Sequence, residues 1–139
     1  SGNIKTGVTI NGVSGNVKGF YTASGTVTCS SSTLSTFVYA SGTTGGSYYI
    51  TVSGLTFTPK IIVAYGFSTY ASTTFLSPVG YYTSPQINSV CHNNTANASL
   101  ETDCFQLSGG AYANATGFRI PVYKGPSVSY QWRVYGWDD

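Results

Sequence analysis

Along much of this chain apolar and polar residues alternate with a period of two, the signature of strands with one face buried and one face wet. Tyr48, Ile50 and Val52 fall on one side of the stretch 47–53, with Tyr49, Thr51 and Ser53 on the other. Near the carboxyl end Val128, Tyr130, Trp132 and Val134 share a side, opposite Ser129, Gln131, Arg133 and Tyr135. That segment carries the strongest strand pattern in the chain. Residues 117–123 also alternate, and the run 60–67, Lys-Ile-Ile-Val-Ala-Tyr-Gly-Phe, is short and apolar enough to be a strand buried on both faces. Pro59 stands at its start, where a missing amide donor does least harm.

The remaining stretches are less regular. Residues 4–17 alternate briefly at Val8 and Ile10 and then break at evenly placed glycines, which predicts short strands joined by tight turns. So small a segment has too little apolar area to fold alone, so it should pack against other chains or against the body that follows. Two strands with loops are expected between Gly19 and Gly46. Residues 68–110, with Tyr70, Tyr81, Tyr82, Pro78, Pro85, Asn93, Asn94 and Asn97, show the least pattern and read as long loops, which in compact domains are often functional. No segment has apolar residues at helical spacing with caps over ten or more positions. The resulting expectation is all-β: an antiparallel β-sandwich of about six to eight strands, with a glycine-punctuated stem at 1–20 and a head at 21–139.

Composition narrows what such a fold could do. The chain has 139 residues, enough for one domain with its own core, and only 7% of them are charged. Its surface must therefore be built from Ser, Thr, Asn, Gly and Tyr. A net charge of +2, with Lys5, Lys18, Lys60, Arg119, Lys124 and Arg133 forming no run, leaves no electrostatic footprint for nucleic acid. No apolar stretch is long enough to insert into a membrane as a helix. The amino terminus lacks the basic and apolar regions of a signal peptide, but Ser1-Gly2 reads as a cut site, so nothing about secretion follows.

Catalytic chemistry finds few of the groups it needs. Glu101, Asp103, Asp138 and Asp139 are the only carboxylates, and Glu101 and Asp103 are the only pair outside the carboxyl-terminal tail. Two solvated acids are the ordinary explanation of that pair. His92, the sole histidine, is adjacent to Cys91, and sequence neighbours rarely face each other as nucleophile and base. Nucleotide-binding glycine loops, nucleophile elbows and metalloprotease motifs are absent. Cys91, His92 and Cys104 lack the spacing of a structural zinc site. Cys91 and Cys104 could close a disulfide loop; two buried free thiols are the alternative. Sequons occur at Asn93, Asn97 and Asn114, about what chance yields from eight asparagines in so Ser- and Thr-rich a chain. The expectation is a binding protein without cofactor or metal rather than an enzyme.

Neutral, aromatic surfaces suit saccharides. Flat rings stack on the apolar faces of a sugar, while amides and hydroxyls pair with its hydroxyls without the cost of desolvating charges. Many tyrosines, Tyr48, Tyr65 and Tyr130 among them, could equally fill the core. Tyr81, Tyr82, Asn93, Asn94 and Asp103, in the stretch read as loops, are the candidate ligand-binding residues.

Two parts of the sequence carry a resemblance. Residues 3–16, Asn-Ile-Lys-Thr-Gly-Val-Thr-Ile-Asn-Gly-Val-Ser-Gly-Asn, resemble the glycine-punctuated segment that precedes distal domains in bacteriophage and prophage tail-fibre proteins. Residues 50–63 and the ending from Gly117-Phe118 to Tyr130-Gln131-Trp132-Arg133-Val134-Tyr135-Gly136 are similar to the terminal receptor-binding domains of such fibres and to the trimeric H-type lectin sandwich. The resemblance covers roughly half the chain. It implies a homotrimer of β-sandwich heads on a narrower stem, located at the virion tail, joined to other tail or fibre proteins and recognising a host cell-surface saccharide or glycopolymer. A structural tail module without ligand is the rival reading, and a glycan-degrading tail enzyme is a third.

Overall fold

The computed structural model describes residue 4 and residues 7–15, 18–29, 33–66, 70–77, 86–93, 100–122 and 125–138; within 70–104 only the backbone is described. Twelve strands and no helix occur among these residues. They are β1 (Thr9–Ile10), β2 (Val13–Ser14), β3 (Phe20–Thr28), β4 (Ser35–Val38), β5 (Thr44–Ser53), β6 (Ile61–Gly66), β7 (Tyr70–Ser77), β8 (Gln86–Asn93), β9 (Leu100–Gln106), β10 (Tyr112–Asn114), β11 (Gly117–Val122) and β12 (Ser129–Trp137). All strand pairings are antiparallel, in sheets ordered β1-β2, β10-β11-β5-β4, β3-β12-β6 and β7-β8-β9. The all-β expectation holds, and the strand total exceeds six to eight because the amino-terminal hairpin, short β10 and the β7-β8-β9 sheet add to it.

Two sheets supply most of the core. From the sheet containing β5 and β11 come Ile50, Val52, Phe118, Ile120 and Val122; from the sheet containing β6 and β12 come Ile62, Ala64, Tyr130 and Val134, all buried in one cluster. These are the same-side residues that alternation predicts for β5 and β12. Burying each large aliphatic side chain contributes roughly 1.5–3 kcal/mol. The Phe118 ring meets Trp132 edge-on, with centroids 5.8 Å apart and planes at 77°, joining the two sheets through an aromatic pair. Trp132 needs room on its own sheet as well. Gly25 is its register partner on β3, and a Cβ there would lie 2.8 Å from the indole Cζ2.

Strand β11 differs from simple alternation, since every residue but Arg119 is buried. On its second face the Arg119 guanidinium lies over the Phe37 and Tyr49 rings. There Phe37 meets Phe105 edge-on at 6.2 Å, Phe105 stacks on Tyr39 at 4.8 Å, and Pro121 and Ala111 are buried. Pro121 lies beyond the three residues of β11 that pair with β10, where β5 is the strand's remaining partner. Strand β6 corrects the prediction in the opposite direction: Ile62 and Ala64 are buried, while Ile61, Val63 and Tyr65 on its other face are only half covered.

Residues 68–110 depart most from the sequence reading. Instead of long loops, β7, β8 and β9 form a three-stranded sheet; β7 runs alongside β6, and a bridge between Tyr39 and Phe105 links β9 to the end of β4. The reason is chemical: these strands use Ser, Thr and Asn at many positions, so they lack apolar alternation, yet Thr and aromatics still favour the pleated backbone. Register also bears on the cysteines. Cys91 pairs with Glu101 and Cys104 with Asn88, so the two stand three rungs apart along adjacent strands. That is roughly 10 Å, beyond the 7 Å or so of Cα separation that a disulfide spans. Cys29 is a buried free thiol.

Both ends of the described chain are shaped by specific contacts. Asn11 and Gly12, with φ of 49° and 76°, form the two-residue turn between β1 and β2, a geometry that matches the twist of a hairpin. Farther on, the Asp138 carboxylate accepts hydrogen bonds from the Gly19 amide at 2.8 Å and the Tyr21 hydroxyl at 3.1 Å. The Asp138 amide in turn donates to the Gly19 carbonyl at 3.1 Å, which ties the last residues to the start of β3. At the β10–β11 turn, Asn114 Oδ1 accepts from the Thr116 amide and hydroxyl and from the Gly117 amide, so this sequon asparagine holds a turn.

Candidate functional site

Strand β12 runs between β3 and β6, and its wet side presents Ser129, Gln131, Arg133, Tyr135 and Trp137 in alternation. Successive side chains on that face stand roughly 7 Å apart. Cross-strand partners share a face, so the registers of β3 and β6 extend the row into a grid. Arg133 lies between Ser24 and Val63, Tyr135 between Thr22 and Ile61, and Gln131 between Thr26 and Tyr65. The β3 edge thus supplies hydroxyls, the β6 edge aliphatic surface and a phenol, and the middle strand an amide, a guanidinium and a phenol. Beyond Tyr135 the aromatic row continues.

Thr22, Ser24, Arg133 and Tyr135, with Ala23, line an open concavity of about 160 Å³. That is smaller than the several hundred Å³ that enclose a drug-sized ligand, and it fits one ring or one polar group of a larger molecule. Contacts along the same face brace its aromatic row. Tyr135 has the ring of Phe20 beside it, with centroids 6.2 Å apart, and Trp137 lies under the Lys60 ammonium, 5.1 Å from the ring centroid. The Tyr65 hydroxyl donates to Gln131 Oε1, fixing that amide so that its NH2 group points onward.

The two arginines are used differently. Arg119 is partly buried: its Nη2 donates to Ser35 Oγ at 2.6 Å and its guanidinium lies 3.9 Å over the Tyr49 ring. Those contacts occupy it in packing, although its buried Nε has no partner among the described residues. Arg133 is exposed, and among the described residues no carboxylate, hydroxyl or ring engages it. No group of three or more His, Cys, Asp or Glu that could hold a metal occurs among the described residues.

Of the residues singled out from sequence, Tyr81, Tyr82 and Asn94 lie outside the described residues. Asn93 and Asp103 sit on strands rather than loops, Asn93 paired with Tyr70 at one end of β8 and Asp103 paired with Ser89 farther along. Four rungs, roughly 13 Å, separate their positions on the ladder, so the backbone does not bring these two together. Glu101 and Asp103 stand two apart on β9. The grid around Arg133 went unselected. Alternation had placed Ser129, Gln131, Arg133 and Tyr135 on the face away from the core, but nothing local announces that β3 and β6 flank them with Thr22, Ser24, Thr26 and Tyr65. No helix among the described residues is long and apolar enough to cross a membrane. Comparison with known protein-family models, curated proteins and solved structures found no match.

Proposed function

We propose that this chain is a saccharide-binding domain without catalytic activity, and that it serves as the receptor-binding tip of a bacteriophage or prophage tail fibre, recognising a glycan or glycopolymer on the host surface. The observation that carries the binding reading is the solvent-facing side of β3-β12-β6. It sets Tyr135 beside Thr22 and Ser24 around an open concavity, next to the amide of Gln131. An aromatic ring provides an apolar platform, and the hydroxyls and amide offer donors and acceptors to sugar hydroxyls at little desolvation cost. The tail-fibre setting rests on the resemblance of residues 3–16 and of the strands ending at Gly136.

In this reading the two core-forming sheets make a β-sandwich head, and three chains associate through the amino-terminal segment. Val8, Ile10 and Val13 of the hairpin are 44%, 54% and 48% exposed in the single chain, apolar surface that a trimer would cover. The same surface favours the second reading, a structural tail module whose function is subunit packing. A glycan array probed with the protein and with Tyr135→Ala tests the choice. Saccharide binding that falls at least tenfold in the variant, with unchanged assembly, supports the receptor reading; no binding to any saccharide or to intact bacteria, with assembly lost on Ile10→Asp, favours the structural one. A monomeric mass by light scattering at micromolar concentration would refute trimerisation.

A further inference from the structure

We infer that the concavity on β3-β12 selects an anionic saccharide, one bearing a carboxylate or a phosphate, and that Arg133 is the residue that reads the charge. The inference rests on the saccharide-binding reading above and adds the chemical class of the ligand. It departs from what composition implies, because so uncharged a chain reads as a binder of neutral sugars.

Arg133 carries the argument through its position and because no partner engages it among the described residues. It stands on the central strand of the sheet, exposed, at the wall of the concavity shared with Thr22, Ser24 and Tyr135. A guanidinium presents five donors in a planar fork and can accept nothing, so its natural counterpart is a carboxylate or phosphate bound through two oxygens. Among the described residues none engages it. Asp138 is the only carboxylate whose side chain is described, and it is bound to the Gly19 amide and the Tyr21 hydroxyl. The strand's alternation also places Asp138 on the opposite face of β12 from Arg133.

The other described cations of this region show what an occupied group looks like. Arg119 is stacked on Tyr49 and bonded to Ser35, and Lys60 lies over Trp137. Arg133 has no such contact among the described residues and lines a concavity. Around it Ser24 and Thr22 supply hydroxyls, and Tyr135 supplies the ring on which the sugar body can lie while its acidic group reaches the fork. Neither hydroxyl competes for the guanidinium as a charged neighbour would. The site is open to solvent, so the attraction is short-ranged and weakens with salt.

Backbone and side-chain NMR titrations of the intact protein test this with matched monosaccharides: glucuronate and glucose 6-phosphate against glucose, and galacturonate against galactose. The expected result is that one of the acidic sugars shifts the Arg133 Nε–H signal and the amides of Thr22, Ser24 and Tyr135, at a concentration about tenfold below that needed by its neutral parent. Arg133→Gln should remove that tenfold preference, Arg133→Lys should retain part of it, and added sodium chloride should reduce it. The uronate and phosphate arms distinguish the two sources of negative charge. Equal shifts on this face from acidic and neutral sugars would overturn the charge inference and leave the saccharide reading standing. Shifts on this face from no sugar would overturn both, and a preference that survives Arg133→Gln would assign the charge to another residue.

Discussion

Truncating Phe118 to Ala removes the ring that locks the two core-forming sheets together. Phe118 is fully buried on β11, its backbone pairs with Val52 on one side and Ala113 on the other, and its ring meets Trp132 edge-on at 5.8 Å. Loss of a buried phenyl group, with the cavity left behind, costs about 3–5 kcal/mol, of which the aromatic pair accounts for about 0.5–1.5 kcal/mol. An unfolding entropy of about 2.1 cal/mol/K per residue over 139 residues converts this into a fall in Tm of about 10–17 °C. Equilibrium urea unfolding followed by tryptophan fluorescence measures the change, and Trp132→Leu alone and combined with Phe118→Ala completes a double-mutant cycle. A loss below about 1 kcal/mol for Phe118→Ala would refute the account of a single core shared by the two sheets. A coupling energy of zero would refute the aromatic pair while leaving the burial argument intact.

Other expectations follow from local geometry. Gly25→Val should destabilise the protein by about 1–3 kcal/mol because a Cβ at that position meets the Trp132 indole at 2.8 Å, and combining it with Trp132→Ala should relieve part of the loss; thermal melts of the three variants decide. Gly12→Val, at φ 76° in the β1–β2 turn, should speed hydrogen exchange at the Gly15 amide, which donates to the Val8 carbonyl at 2.9 Å, while leaving the exchange of β5 and β11 amides unchanged. Asp138→Ala removes the acceptor of the Gly19 amide and the Tyr21 hydroxyl and should cost about 1–3 kcal/mol by urea unfolding, with Asp138→Asn costing less. Cys91 and Cys104, three rungs apart, should both alkylate in denaturant without reductant, whereas Cys29 should label only as the protein unfolds; intact mass spectrometry reads all three, and a loss of two mass units with protected Cys91 and Cys104 would refute the register.

The sequence by itself determined the strand class, because a period of two in Tyr48, Ile50 and Val52 and again in Tyr130, Trp132 and Val134 is a property of the chain that needs no partner to be read. It also determined which side of those strands is wet, and the evenly placed glycines of residues 4–17 specified short strands joined by tight turns. It failed where strands are made of hydroxyl and amide residues: β7, β8 and β9 carry little apolar contrast, so the stretch 68–110 looked like loop although its backbone pairs in register. It also concentrated the candidate ligand contacts in that stretch, and left Arg133 and Tyr135 as mere outward positions. Only tertiary structure decided that β3, from the beginning of the body, and β6, from its middle, lie on either side of β12 and bring Thr22 and Ser24 against Arg133. Strand neighbours about seventy and more than a hundred residues apart are chosen by which buried faces fit together in the core, and that fit is written in no local pattern.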